Sequence, residues 1–194
     1  MRTAKIALII SAVLILFTAC SGDSDKSLMT VNKDGTIKSY MVEEFSESYY
    51  DAEELRESVA GDISYFNEKY ESDVMELTEF EYAEGILKAS MWYYDAKAYE
   101  DYNEEVFYSG KIMDSLQEEY DLDVAFFDVK DLETKLQFED IKNGENSVLI
   151  FSEPVNVKLP EKVLYISEGL KKGRSSKDVT VTDDTKEIYC IIYE

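Results

Sequence analysis

Apolar residues recur along this chain with two periods, one of two residues and one near 3.6, and the switches between them mark its elements. Leu28-Met29-Thr30-Val31-Asn32 and Thr36-Ile37-Lys38-Ser39-Tyr40-Met41-Val42 alternate on either side of Lys33-Asp34-Gly35. An Asp-Gly between alternating runs predicts a hairpin. From Asp51 to Tyr70 the period lengthens: Leu55, Val59, Ile63, Phe66 and Tyr70 share a helical face, and Glu53, Glu57, Asp62, Glu68 and Lys69 fall on the other. Asp51-Ala52-Glu53-Glu54 has the layout of a capping box, so an amphipathic helix is expected over 51–70, laid on a sheet.

The period of two then returns. Val74 to Tyr82 and Ile86 to Tyr94 read as longer strands joined by Ala83-Glu84-Gly85, with Leu87, Ala89, Met91 and Tyr93 on the core face and Lys88, Ser90, Trp92 and Tyr94 on the other. Asp95–Asn103 and Ile112–Tyr120 are helical candidates, separated by Val106-Phe107-Tyr108-Ser109-Gly110. Beyond Asp121 come short strands, Val124–Val129, Ser147–Phe151, Val155–Leu159, Val163–Ser167, Val179–Thr182 and Ile188–Tyr193, with Leu132–Ile141 readable either way. The last strand is apolar on both faces and is expected in the middle of the sheet. Pro154 and Pro160 mark strand ends, and neither a repeat nor a linker follows Ser27. The expected architecture is one α+β domain over 28–194, a mainly antiparallel sheet with helices packed on it.

The first twenty residues stand apart. Arg2 and Lys5 precede an apolar run from Ile6 to Phe17, interrupted by Ser11 alone, and the polar stretch Ser21 to Ser27 begins directly after Cys20. That is the layout of a secretory signal, and it falls short of the roughly 20 apolar residues a spanning helix needs. Leu16-Phe17-Thr18-Ala19-Cys20 resembles the lipobox of bacterial lipoproteins. The resemblance implies a signal peptide over 1–19, cleavage before Cys20, and a thioether from the Cys20 sulfur to diacylglycerol, with palmitate-type chains as the anchor. Two or three such chains hold a protein stably on a membrane, at about 0.8 kcal/mol per buried methylene. Residues 20–27 would then be the lipidated cysteine and a short tether.

Composition narrows the chemistry. Among 194 residues, 42 acidic side chains face 20 basic ones, for a formal charge of −22; loss of Arg2 and Lys5 with the signal would leave the chain more acidic still. Such a surface repels phosphate backbones, so nucleic acid is not an expected partner. There is no histidine, which removes Ser-His-Asp and Cys-His nucleophile systems and the usual neutral-pH proton shuttle. The 45% hydrophobic share and 15 tyrosines argue for a folded body rather than disorder. Of two cysteines, Cys190 lies beside Ile188 and Ile192 on one strand face, where a small buried hydrophobe is expected.

Few residue constellations point to chemistry. Asn32, Asp34, Gly35 and Ile37 match four positions of an EF-hand loop, but its first and last ligand positions fall on Thr30 and Met41, so the hairpin turn is the better reading. Two carboxylates alone suffice for glycoside hydrolysis, and Glu43, Glu44, Glu79, Glu81, Asp121, Asp123 and Asp128 are available, yet no spacing isolates a pair. Asp121 with Asp123 and Asp183 with Asp184 could bind calcium weakly but match no specific loop, and no metal site or cofactor is assigned. Gly169 to Lys177 is the one basic island and reads as a solvated hairpin loop. The densest aromatic segment is Trp92-Tyr93-Tyr94, followed by Tyr99, Tyr102, Phe107 and Tyr108. Trp92 and Tyr94, sharing a face with Lys88, are the ligand-binding candidates, because rings held on strands offer large contact area at low entropic cost.

The order of elements, the phrases Val31-Asn32-Lys33-Asp34-Gly35-Thr36-Ile37 and Glu44-Phe45-Ser46-Glu47-Ser48-Tyr49-Tyr50-Asp51, and the terminal Tyr189-Cys190-Ile191-Ile192-Tyr193 resemble uncharacterised surface lipoproteins of Gram-positive anaerobes. The resemblance implies an address and a fold but no activity. The expectation is a lipid-anchored protein on the extracytoplasmic face of the cell membrane, acting as a binding module for an extracellular glycan, peptide or envelope protein. A carboxylate-dependent glycan hydrolase and a structural envelope protein are the alternatives, and no catalytic residue is assigned.

Overall fold

A computed structural model describes residues 26–44, 51–115, 120, 122–142 and 144–194. The expected signal peptide, Cys20 and most of the tether lie outside them. The opening hairpin pairs β1 (Leu28–Val31) with β2 (Ile37–Glu44). Its turn closes through Asn32 N–H to the Thr36 carbonyl at 2.9 Å, with Gly35 at φ +86°, a value glycine adopts without a Cβ penalty. Asp34 accepts from both the amide and the hydroxyl of Thr36, at 3.1 and 2.7 Å, so its carboxylate is used in shaping the turn.

Helix α1 covers Ala52–Tyr70. Asp51 caps it by accepting from the amides of Glu53 and Glu54 at 2.9 and 3.1 Å. Ile63 and Phe66 are its buried residues, with Val59 and Tyr70 packed against the same core. At the far end Glu71 turns left-handed, and the Asn67 side chain ties the helix to the next strand. Its Oδ1 accepts from Val74 and Met75 N–H, at 3.0 and 3.1 Å, and its Nδ2 donates to the Met75 carbonyl at 2.8 Å.

Strands β3 (Met75–Ala83) and β4 (Ile86–Tyr93) follow, then α2 (Ala96–Asn103), β5 (Phe107–Lys111), α3 (Ile112–Ser115), β6 (Phe126–Asp128), β7 (Asp131–Leu136) and α4 (Phe138–Ile141). The chain ends with β8 (Ser147–Phe151), β9 (Asn156–Lys158), β10 (Val163–Ser167), β11 (Leu170–Lys172), β12 (Asp178–Val181) and β13 (Tyr189–Tyr193). The fold is mixed α+β and mostly antiparallel, but it forms two sheets where the sequence suggested one. The first runs β11-β12-β9-β1-β2-β4-β3 and the second β5-β8-β13-β10-β6-β7. Among the described residues, β1 with β9 is the one parallel pairing. The ambiguous segment 132–141 divides into the end of β7 and α4. The helix expected over Ile112–Tyr120 is observed only as Ile112–Ser115, residues 116–119 lying outside the described chain.

Alternation on the second sheet explains its unbroken apolar strands. Leu149, Phe151, Tyr189, Ile191 and Tyr193 enter a core shared with Met29, Val31, Ile37 and Tyr93 of the first sheet. Val148, Ile150, Cys190 and Ile192 point the other way, onto Ile112, Phe126, Phe138 and Ile141. Both faces are therefore covered, and β13 lies third in its sheet with all five residues buried. Cys190 is among them, and its amide donates to Ser167 Oγ at 2.9 Å.

The chain passes from one sheet to the other at Gly169, between β10 and β11. Its φ is +87°, its carbonyl accepts from Thr182 N–H at 2.8 Å, and a Cβ there would sit 2.9 Å from the Lys186 side chain. The basic island is thus partly strand: Leu170–Lys172 pairs with β12, and Asp178 accepts from Ser175 N–H at 3.0 Å to hold the turn.

Candidate functional site

The register of β2, β4 and β3 builds a surface lattice from side chains that the sequence scatters over nearly sixty positions. Opposite residues lie side by side: Lys38, Trp92 and Glu76 form one row, Tyr40, Ser90 and Glu79 the next, and Val42, Lys88 and Glu81 the third. Cross-strand neighbours in such rows stand roughly 5 Å apart. A bulge at Thr78 brings the three glutamates onto this face, and the Thr78 hydroxyl donates to the Ser90 carbonyl at 3.1 Å. Ser90 is fully buried under its neighbours and donates to Glu79 Oε2, also at 3.1 Å. The other face of these strands carries Tyr93, Ala89 and Leu87 into the interior.

Two of the three expected binding residues meet. The Trp92 and Tyr94 rings pack edge to face with centroids 6.3 Å apart; Tyr94 is 59% exposed and Trp92 is half-buried. Lys88 shares their face but sits four residues from Trp92 along β4, roughly 13 Å away at strand rise, and does not join the ring pair. The arrangement is a shallow aromatic step at the end of β4 beside a column of acids on β3, the edge strand of this sheet. It offers contact area and charge rather than an enclosed reaction chamber.

A second cluster lies where α2 and the loop after it meet the turn after β8. The Tyr99 hydroxyl donates a short hydrogen bond to Glu153, and Ser152 Oγ donates to Glu105 Oε2 at 2.5 Å. The backbone locks this corner, with Val106 N–H on Ser152 Oγ at 3.0 Å and Ser152 N–H on the Val106 carbonyl at 3.1 Å. Glu43, half-buried opposite Leu87 on the inner face of β2, completes the group. Burial raises the Glu153 carboxyl above the usual range; the Tyr99 hydrogen bond opposes this, and the charge of Glu105 adds to it. Glu43 is raised by burial and then by Glu153. Burial, followed by the neighbouring Glu153 charge, pushes the Tyr99 hydroxyl well above its ordinary value.

Neighbouring acids of raised proton affinity are a feature a carboxylate-dependent hydrolase can use as its general acid. The surroundings do not complete one. A nearby groove of about 330 Å³ is open and lined by Glu100, Asp101, Glu104, Glu105 and Val106, without Glu43 or Glu153. Glu153 is engaged by Tyr99. Other acids serve local turns: Asp128 accepts from Lys130 N–H at 2.8 Å, and Asp183 from the amide and hydroxyl of Thr185 at 3.1 and 2.6 Å. Among the described residues no group of three or more potential ligands is placed to hold a metal ion. Asp121 lies outside them.

Glu43 was legible as one of many acids, whereas Glu153 escaped sequence reasoning. Its only local signal is its place just beyond an entirely apolar strand and before Pro154. No protein-family model matches the chain, and no curated protein or solved structure matches it either.

Proposed function

We propose that this protein is a lipid-anchored, extracytoplasmic binding module of the cell envelope, recognising a glycan, a peptide or an envelope protein through the outer face of β2, β4 and β3. The Trp92–Tyr94 ring pair carries the reading: two adjoining rings, one well exposed, are held on rigid strands beside hydrogen-bonding acids. The N-terminal signal and Cys20 supply the address. In this reading 28–194 act as one unit, with α1 an amphipathic helix turning its acidic face to water and the polyanionic surface holding the body off an anionic bilayer.

Glycan arrays and peptide pulldowns with the lipid-free chain from residue 21 onward test it, with Trp92→Ala and Tyr94→Ala beside the parent. Loss of a hot-spot ring is expected to weaken binding by about 2 kcal/mol, or some thirtyfold. Binding that survives both substitutions refutes this face as the site, and no binding on either platform refutes the module. The hydrolase reading rests on the raised proton affinities of Glu43 and Glu153; glycan cleavage abolished by Glu153→Gln would favour it instead.

A further inference from the structure

The cluster around Glu153 plays no part in the binding face, yet it joins four pieces of the fold. Glu153 lies in the turn between β8 and β9, Tyr99 and the adjoining Glu105 come from α2 and the loop after it, Glu43 from β2 and Tyr93 from β4. These are the groups whose charge or hydrogen bonds connect to Glu153, and none is a cation. Tyr99 and Tyr93 pack ring to ring at 4.9 Å, and Asn103 Nδ2 donates both to the Tyr93 hydroxyl, at 3.3 Å, and to the Tyr99 carbonyl, at 2.9 Å. Among the described residues, the charges that act on the largely desolvated Glu153 are thus other acids, with a hydroxyl donor in Tyr99 and no cation beside it. Full ionisation sets like charges against each other with reduced solvent screening.

We propose that this carboxylate–tyrosine cluster is a proton-operated latch, in which a proton held at Glu153 closes α2, through Tyr99, against the β8–β9 turn, and its loss loosens that junction. With the proton on, a carboxyl group is neutral, Tyr99 remains hydrogen-bonded to Glu153, and the repulsion from Glu43 and Glu105 falls. With it off, the same groups repel across the junction. The proton comes from and returns to solvent. Because the folded state binds it more tightly than the unfolded chain, the stability it confers is complete below the ordinary glutamate range. It is lost as pH rises through the raised folded-state midpoint.

The test follows wild type, Glu153→Gln and Glu104→Gln from mildly acidic to neutral pH, measuring urea midpoints and residue-resolved hydrogen exchange. Glu104 is an exposed groove residue and serves as the control for general acidic repulsion. In wild type, protection of α2 amides should fall with rising pH, by up to tenfold per unit across the window, more than in strands remote from the cluster. Glu153→Gln should remove that differential and raise the neutral-pH midpoint, while Glu104→Gln should keep the wild-type profile. Carbon-13 titration of the side-chain carboxyls in wild type gives a readout independent of any variant. Glu153 and Glu43 titrating no higher than Glu104, or α2 protection changing in step with the whole fold, would overturn the latch.

Discussion

Replacing Ile191 and Ile192 by alanine, one at a time, tests the claim that the second sheet is buried on both sides. The two residues are adjacent on β13 and both are 0% exposed, but Ile191 enters the core between the sheets and Ile192 the layer beneath α3 and α4. Ile191 stands opposite Leu149 and Ile166, and Ile192 opposite Val148 and Tyr165. Each truncation removes about three buried carbons at about 0.8 kcal/mol apiece and leaves a cavity bounded by strands that cannot readily collapse. A loss of about 3 to 4 kcal/mol is expected for each, against less than about 1 kcal/mol for Val42→Ala on the open face of β2, where the side chain is only half-buried. Urea unfolding is read by far-ultraviolet circular dichroism and by fluorescence of Trp92, the only tryptophan. Since the shared core spans both sheets, the two probes should report one transition. An Ile192→Ala cost below about 1 kcal/mol would show that α3 and α4 do not cover the sheet. A separate Trp92 transition would show that the sheets unfold independently.

Other substitutions probe single devices. Asn67→Ala removes the side chain that receives two amides and donates to one carbonyl at the α1–β3 junction; a loss of about 2 to 3 kcal/mol in chemical denaturation is expected from the amides left unpaired. Asp51→Ala deletes the N-cap and should cost about 1 kcal/mol by the same assay. Glu84 sits at φ +55° ahead of Gly85 at +79° in the turn joining β3 and β4, a geometry that favours Asn-Gly, so Glu84→Asn should stabilise by about 0.5 to 1 kcal/mol. Cys190, fully buried, should resist alkylation in the native protein and react once urea unfolds it, as intact-mass measurement would show.

Local periodicity determined much of this protein by itself. The Asp34-Gly35 turn, the Asp51 cap and the inward face of β4 all depend on residues within a few positions of one another, where backbone preference and side-chain alternation act directly. The two-faced apolar pattern of Tyr189–Tyr193 likewise announced a strand with no solvent side. Tertiary structure alone decided that the strands divide between two sheets, because β1 meets β9 across more than a hundred residues and Gly169 carries the chain from one sheet to the other. It also decided which acids matter. Glu43 and Glu153 look like any of 42 carboxylates until folding takes them partly out of water, and desolvation belongs to a place in the fold, not to a position in the chain.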